Sequence, residues 1–92
     1  MVRQRPKLLN MADDVCLLRL PQLRSMYPKS KTTIYHEIQA GVFVPPVPLG
    51  GRVTAWPAED VRAIVAARIA GWDDARIREL VRSLIARRSE AA

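Results

Sequence analysis

Lys31, Thr32, Tyr35, His36 and Gln39 lie close together, and each can hydrogen-bond. None of them is acidic. Lys, Thr, His and Gln side chains reach base edges in the major groove of duplex DNA. Tyr35 can meet a phosphate or pack on a sugar. Ser30 stands just before them, and a helix that starts there offers its first free N–H groups to a phosphate oxygen. Without such a partner the same residues would form an ordinary polar helix face, and His36 alone carries no assigned role.

Catalysis needs a different set of residues, and none is present. The chain has one His and one Cys. No His, Cys, Asp and Glu fall at metal-ligand spacing, and no phosphate-binding glycine motif occurs. Gly50-Gly51 reads as a turn, Asp73-Asp74 as a helix cap with first-turn charge, and Asp13-Asp14 as a solvated loop. The expectation is a protein that is not an enzyme, with no catalytic residues, no metal and no cofactor.

The elements that would hold the reading residues follow from local signals. Ser30 is a natural N-cap, Ile34 and Ile38 face inward, and Gly41 suits the left-handed residue that ends a helix. The spacing predicts a helix over 31–40. Before it, Leu20, Leu23, Met26 and Tyr27 keep helical spacing, Pro21 suits a first turn, and Pro28 stops the helix. Two short helices across a tight turn make a helix-turn-helix. Residues 15–20, VCLLRL, read as a strand, with Cys16 a small core residue. Pro45, Pro46 and Pro48 exclude helix from the next stretch, and Gly50-Gly51 turns a hairpin of strands 46–49 and 52–56 with Arg52 at its tip. That hairpin can lay its tip as a wing along the phosphate backbone or into the minor groove, or simply close the core.

Pro57 opens a third helix, with Glu59 and Asp60 near its positive end. Val61, Ile64, Val65, Arg68 and Ile69 form its stripe, and Gly71 ends it. Asp73 caps a fourth helix, where Trp72 can staple onto Ile77. Its apolar face is Ile77, Leu80, Val81, Leu84 and Ile85. That face needs cover, either from the third helix across the short Gly71 turn or from a second copy.

The 92 residues make one small domain, half of it hydrophobic. Net charge is +6. Residues 1–56 hold eight Lys/Arg against three Asp/Glu, while 57–92 hold seven against six, so the basic excess sits with the helix-turn-helix. Nucleic acid is the partner such a surface fits. A lone cysteine, no apolar run of membrane-spanning length and no signal-peptide pattern point to the cytoplasm.

Several runs together resemble the AlpA family of phage and prophage regulators. They are Leu20-Pro21-Gln22-Leu23, Ser30-Lys31-Thr32-Thr33-Ile34-Tyr35, Ile38-Gln39-Ala40-Gly41-Val42-Phe43, Pro46-Val47-Pro48-Leu49-Gly50-Gly51-Arg52, and Trp56. The family is similar to the MerR-like winged-helix and excisionase group. The likeness spans residues 17–70. It implies DNA binding in mobile elements, either as an activator of an integrase gene or as an excisionase-like directionality factor. It places Lys31, Thr32, Thr33, Tyr35 and His36 on the recognition helix and Gly50, Gly51 and Arg52 on the wing. Four positions depart from the family pattern. Pro28-Lys29 replaces a Gly-Leu pair in the turn, so that either the turn is looser or Met26 and Tyr27 fill the gap. His36 stands for an Arg, which changes base preference, and Val44 stands for a Pro.

The expected fold is therefore mostly α with a small β-hairpin wing, a winged helix-turn-helix of the MerR/excisionase-like kind. A flexible basic arm occupies 1–14, the DNA-binding domain 15–71, and a C-terminal helix with a short tail 72–92. The expected function is sequence-specific transcriptional regulation in a phage or integrated mobile element. An excisionase-like directionality factor, or a protein-interaction module using helix 73–88, are the alternatives. The DNA-binding residues are Ser30, Lys31, Thr32, Thr33, Tyr35, His36, Gln39, Gly50, Gly51 and Arg52. The partners are double-stranded DNA and an integrase. The chain is a monomer or a weak homodimer whose assembly adjacent DNA sites promote.

Overall fold

Pro21 and Pro28 bracket the first helix. In the computed structural model, which describes residues 16–90, helix α1 runs Leu20–Met26. Pro21 sits in its first turn, where the missing N–H is no loss. The Arg19 N–H donates to Gln22 Oε1 at 3.2 Å, and Tyr27 then Pro28 follow the last residue. Across Pro28 the Lys29 N–H donates to the Tyr27 carbonyl at 2.8 Å, a three-residue turn.

Helix α2, Lys31–Ala40, starts and stops where its residue types require. Ser30 Oγ accepts the Thr33 N–H at 3.2 Å. At the other end Gly41 has φ 83°, its N–H donates to Ile38 and the Val42 N–H donates to Glu37. These two bonds form a Schellman motif, and they satisfy carbonyls that would otherwise be left open.

Val42, Phe43 and Val44 then run through the core, each buried. Strand β2, Val47–Gly50, pairs antiparallel with β3, Val53–Pro57. A third short strand, β1 at Leu17–Leu18, pairs with the far side of β3, giving the order β1-β3-β2. β2 is thus an edge strand, which tolerates Pro48. β3 passes through Pro57 directly into helix α3, Ala58–Ile69. Gly71, at φ 81°, ends α3 with a second Schellman pair, from Gly71 to Arg68 and from Trp72 to Ala67. Asp73 Oδ1 accepts the Arg76 N–H at 2.9 Å and opens α4, Asp74–Glu90.

All these elements share one core. Leu23, Ile34, Phe43, Trp56, Val61, Ile64, Ile77, Val81 and Leu84 meet in it. Each such side chain contributes about 1.5–3 kcal/mol when fully buried. Trp56 Nε1 donates to the Val44 carbonyl at 3.1 Å, and the Tyr27 ring stacks on Phe43 at 4.6 Å. The fold is mostly α with a β-hairpin wing, as the sequence implies.

Several expectations change in detail. The strand expected over 15–20 is only Leu17–Leu18, because Leu20 belongs to α1. Cys16 is exposed rather than in the core, since it precedes the outer strand of the sheet. The hairpin strands sit one residue later than expected, and Gly50 closes β2 instead of opening the turn. Ile69 is 81% exposed: α3 turns Ala58, Val61, Ile64 and Ala67 inward, and Ile69 falls off that stripe. On α4 the buried set is Ile77, Val81 and Leu84, while Leu80 is half-buried and Ile85 exposed. Trp72 packs at the core edge with the Arg76 guanidinium 4.0 Å over its ring. The N-terminal arm, 1–14, and Val15 lie outside the described residues.

Candidate nucleic-acid interface

Ile34, fully buried, and Ile38, half-buried, fix how α2 is turned about its axis. The opposite side then faces outward. Lys31, Thr32, Tyr35, His36 and Gln39 are all exposed. Residues four apart share a helix face, which groups Lys31 with Tyr35, Thr32 with His36, and Tyr35 with Gln39. Among the described residues the side chains of Lys31, Thr32, His36, Gln39 and Arg52 make no hydrogen bond or ion pair.

Ser30 and Thr33 have a local task. Besides accepting the Thr33 N–H, Ser30 Oγ donates to Thr33 Oγ1 at 3.0 Å. Both hydroxyls are thereby tied into the helix cap, and both residues stay exposed beside the helix's free N–H groups.

Tyr35 joins helix to wing. Its ring meets Trp56 of β3 edge-on, with centroids 6.2 Å apart. The wing tip beyond is open. Gly50 has φ 110° and Gly51 φ 57°, and a Cβ added at either would meet nothing within 4 Å. Arg52 is exposed at the turn.

The molecule is a winged helix-turn-helix. That module is generally associated with DNA binding. The sequence matches no family model and no solved structure. It is similar to an uncharacterized protein, ORF88, of Enterobacteria phage P4, at 44% identity over 54 residues. The aligned region is 59% of this chain, and the chain spans 61% of the length of that phage protein.

Four residues shape the interface through pairings that the sequence does not signal, although Tyr27 is expected near the turn. Glu37 is the one acid of α2, and its carboxylate is occupied. The Tyr27 hydroxyl donates to Oε1 and the Lys29 ammonium to Oε2, and the Glu37 side chain is only 16% exposed. The bond to Glu37 raises the Lys29 pKa above the ordinary lysine value, and burial raises that of the Tyr27 hydroxyl. Lys29 therefore stays charged and Tyr27 neutral at physiological pH. Tyr27 is buried behind the turn, its ring stacked on Phe43. The fourth residue is Arg78. Its Nε donates to the Ala40 carbonyl at 3.0 Å, placing a cation at the negative end of α2. It lies 38 residues away along the chain, too far for any pattern to suggest.

Among the described residues no group of three or more His, Cys, Asp or Glu could hold a metal ion. No described helix is long and apolar enough to cross a membrane.

Proposed function

We propose that this chain is a sequence-specific DNA-binding regulator of a phage or integrated mobile element, acting in the cytoplasm without catalysis. Helix α2 enters the major groove, where Lys31, Thr32, His36 and Gln39 address base edges and Tyr35 a phosphate or sugar. Ser30, Thr33 and the first N–H groups of α2 receive a phosphate. The wing, 46–56, with Gly50, Gly51 and Arg52 at its tip, lies along the duplex beside it.

One observation carries this reading. The exposed face of α2 bears hydrogen-bonding side chains and no acid, because the only carboxylate of the helix lies more than a quarter-turn from each of them and is held by Lys29 and Tyr27. A surface facing a polyanion requires that, and an ordinary solvated helix face does not. The AlpA-like pattern and the phage relative support the mobile-element setting.

Footprinting on DNA from the chain's own genetic neighbourhood tests the proposal. Protection at an integrase promoter is the expected result, and protection at repeats flanking a recombination core would assign the excisionase-like role instead. Binding should also weaken steeply with salt, log K falling by about 0.9 per phosphate neutralised. Salt-insensitive binding, or no binding, would refute the DNA reading.

A further inference from the structure

The wing is short of charge. Residues 47–57 read VPLGGRVTAWP and hold one charged side chain, Arg52, in a chain that is 26% charged. A wing that merely clasped phosphates would need cations along it, because that affinity comes from neutralised phosphates. This one offers apolar surface. Leu49 is 48% exposed and Val53 40%, with Pro48 exposed beside them. Single exposed apolar side chains are ordinary, but these three flank one tip.

Leu49 also lacks a partner across the hairpin. Pro48 faces Thr54 and Gly50 faces Val53, so Leu49 is the extra residue of a bulge. Bulges re-aim side chains, often next to functional sites. Gly50 and Gly51 keep the tip slim, with open space around both.

We propose that Leu49 is an apolar wedge: with the wing tip in the minor groove at an A·T-rich step and Arg52 beside it, Leu49 enters a base step and bends the duplex. The inference deepens the DNA-binding reading and rests on it. The minor groove has sugar walls, which suit Leu49, Val53 and Pro48. Where A·T pairs narrow it, its negative potential attracts an arginine. Apolar wedges between base steps are a recurrent minor-groove device and kink the duplex. One cation and one wedge are what this tip has to offer.

The test uses the full chain and the duplex it enriches from a random-sequence library, dye-labelled at both ends so that energy transfer reports the bend. Leu49→Ala should weaken binding by about tenfold and straighten the duplex, leaving the salt slope unchanged. Leu49→Met, which keeps the apolar volume, should restore the bend. Arg52→Ala should flatten the slope by about one unit. Under the wing, replacing A·T by inosine·C should preserve binding, whereas G·C should reduce it, because only G·C puts an amino group into the minor groove. Melting of the Leu49 variants should match the parent, since the side chain is half in solvent. A Leu49→Ala protein that keeps both bend and affinity overturns the proposal. So do equal losses on inosine·C and G·C duplexes. Loss of self-association by light scattering, with the bend intact, would give the apolar tip to a second copy and overturn it as well. A library that yields no duplex would remove the DNA reading itself, and this inference with it.

Discussion

Arg88→Met should destabilise the domain more than its position near the end of the last helix suggests. Asp60, in the first turn of α3, is 6% exposed. Its Oδ2 accepts from Arg88 Nε at 3.1 Å and from Arg88 Nη2 at 3.0 Å. Removing one partner of a fully buried pair costs about 3–5 kcal/mol, because the other charge stays buried alone. Two features lower that figure here. The Arg88 side chain is 23% exposed, so water can reach the site once it is gone. Asp60 also sits at the positive end of α3, which favours its charge. The expected cost is therefore about 2 kcal/mol. A domain of this size is stabilised by about 0.05–0.15 kcal/mol per residue, so that is a large share. The melting temperature should fall by about 4–8 °C per kcal/mol.

Urea unfolding followed by the fluorescence of Trp56, buried in the core, measures this. Three variants complete the cycle: Arg88→Met, Asp60→Asn, and both together. Asp60→Asn removes the charge that needs a partner, so the double variant should be no less stable than Arg88→Met alone. The coupling should be about 1–2 kcal/mol. Effects that add within about 0.3 kcal/mol would be those of independent sites, and would refute the argument that this pair pins α4 to the start of α3.

Gly41→Val should cost about 2 kcal/mol, because a left-handed residue with a Cβ is strained; a Cβ there would meet Arg78 only at 3.7 Å, so crowding is not the cause. A melting curve that matches the parent would remove Gly41 from the cap. Thr32→Ala and Gln39→Ala should each change which sequence is preferred, by about 1–3 kcal/mol of discrimination; equal losses on specific and random duplexes would show that neither touches a base. Stability should decline as pH rises past the ordinary Tyr and Lys values of about 10, because Tyr27 and Lys29 both have raised pKa values in the fold and each favours the folded state while protonated. Tyr27→Phe should make that alkaline decline shallower, and an unchanged profile would show that Tyr27 contributes nothing to it.

What could be read from the sequence was what neighbours in the chain decide. Ser30 and Gly41 bound α2 through bonds spanning three to five residues. Gly50-Gly51 and Asp73 act over similarly short spans. Their residue types alone therefore imply the elements. What could not be read depends on distant partners. Nothing in Leu17-Leu18 announces that it will pair with Trp56 and Pro57. Cys16 and Ile69 look like core residues by type and are exposed, because the neighbouring elements turn other positions inward. Asp60 looks like a first-turn acid with a dipole to serve, and its partner is 28 residues away. The candidate reading face was legible because Lys31 to Gln39 is little more than two turns of one helix. The bulge that exposes Leu49 was not, since a bulge is a relation between two strands.

The turn before α2 shows how one local departure and one distant pairing become the same fact. A tight turn between two helices needs an apolar side chain beneath it, and Pro28-Lys29 supplies none. Tyr27 fills that space with its ring on Phe43. A buried tyrosine must place its hydroxyl, and this one donates to Glu37. Lys29, pushed to the surface by the same turn, reaches the other carboxylate oxygen and lies 4.9 Å over the Tyr27 ring. The end of α1, the turn and the middle of α2 are thereby locked together by three side chains. The lock also pairs the only negative charge of α2, on a side of the helix away from Lys31, Thr32 and His36. The residue that fills the turn thus also occupies the one carboxylate of the helix that follows it.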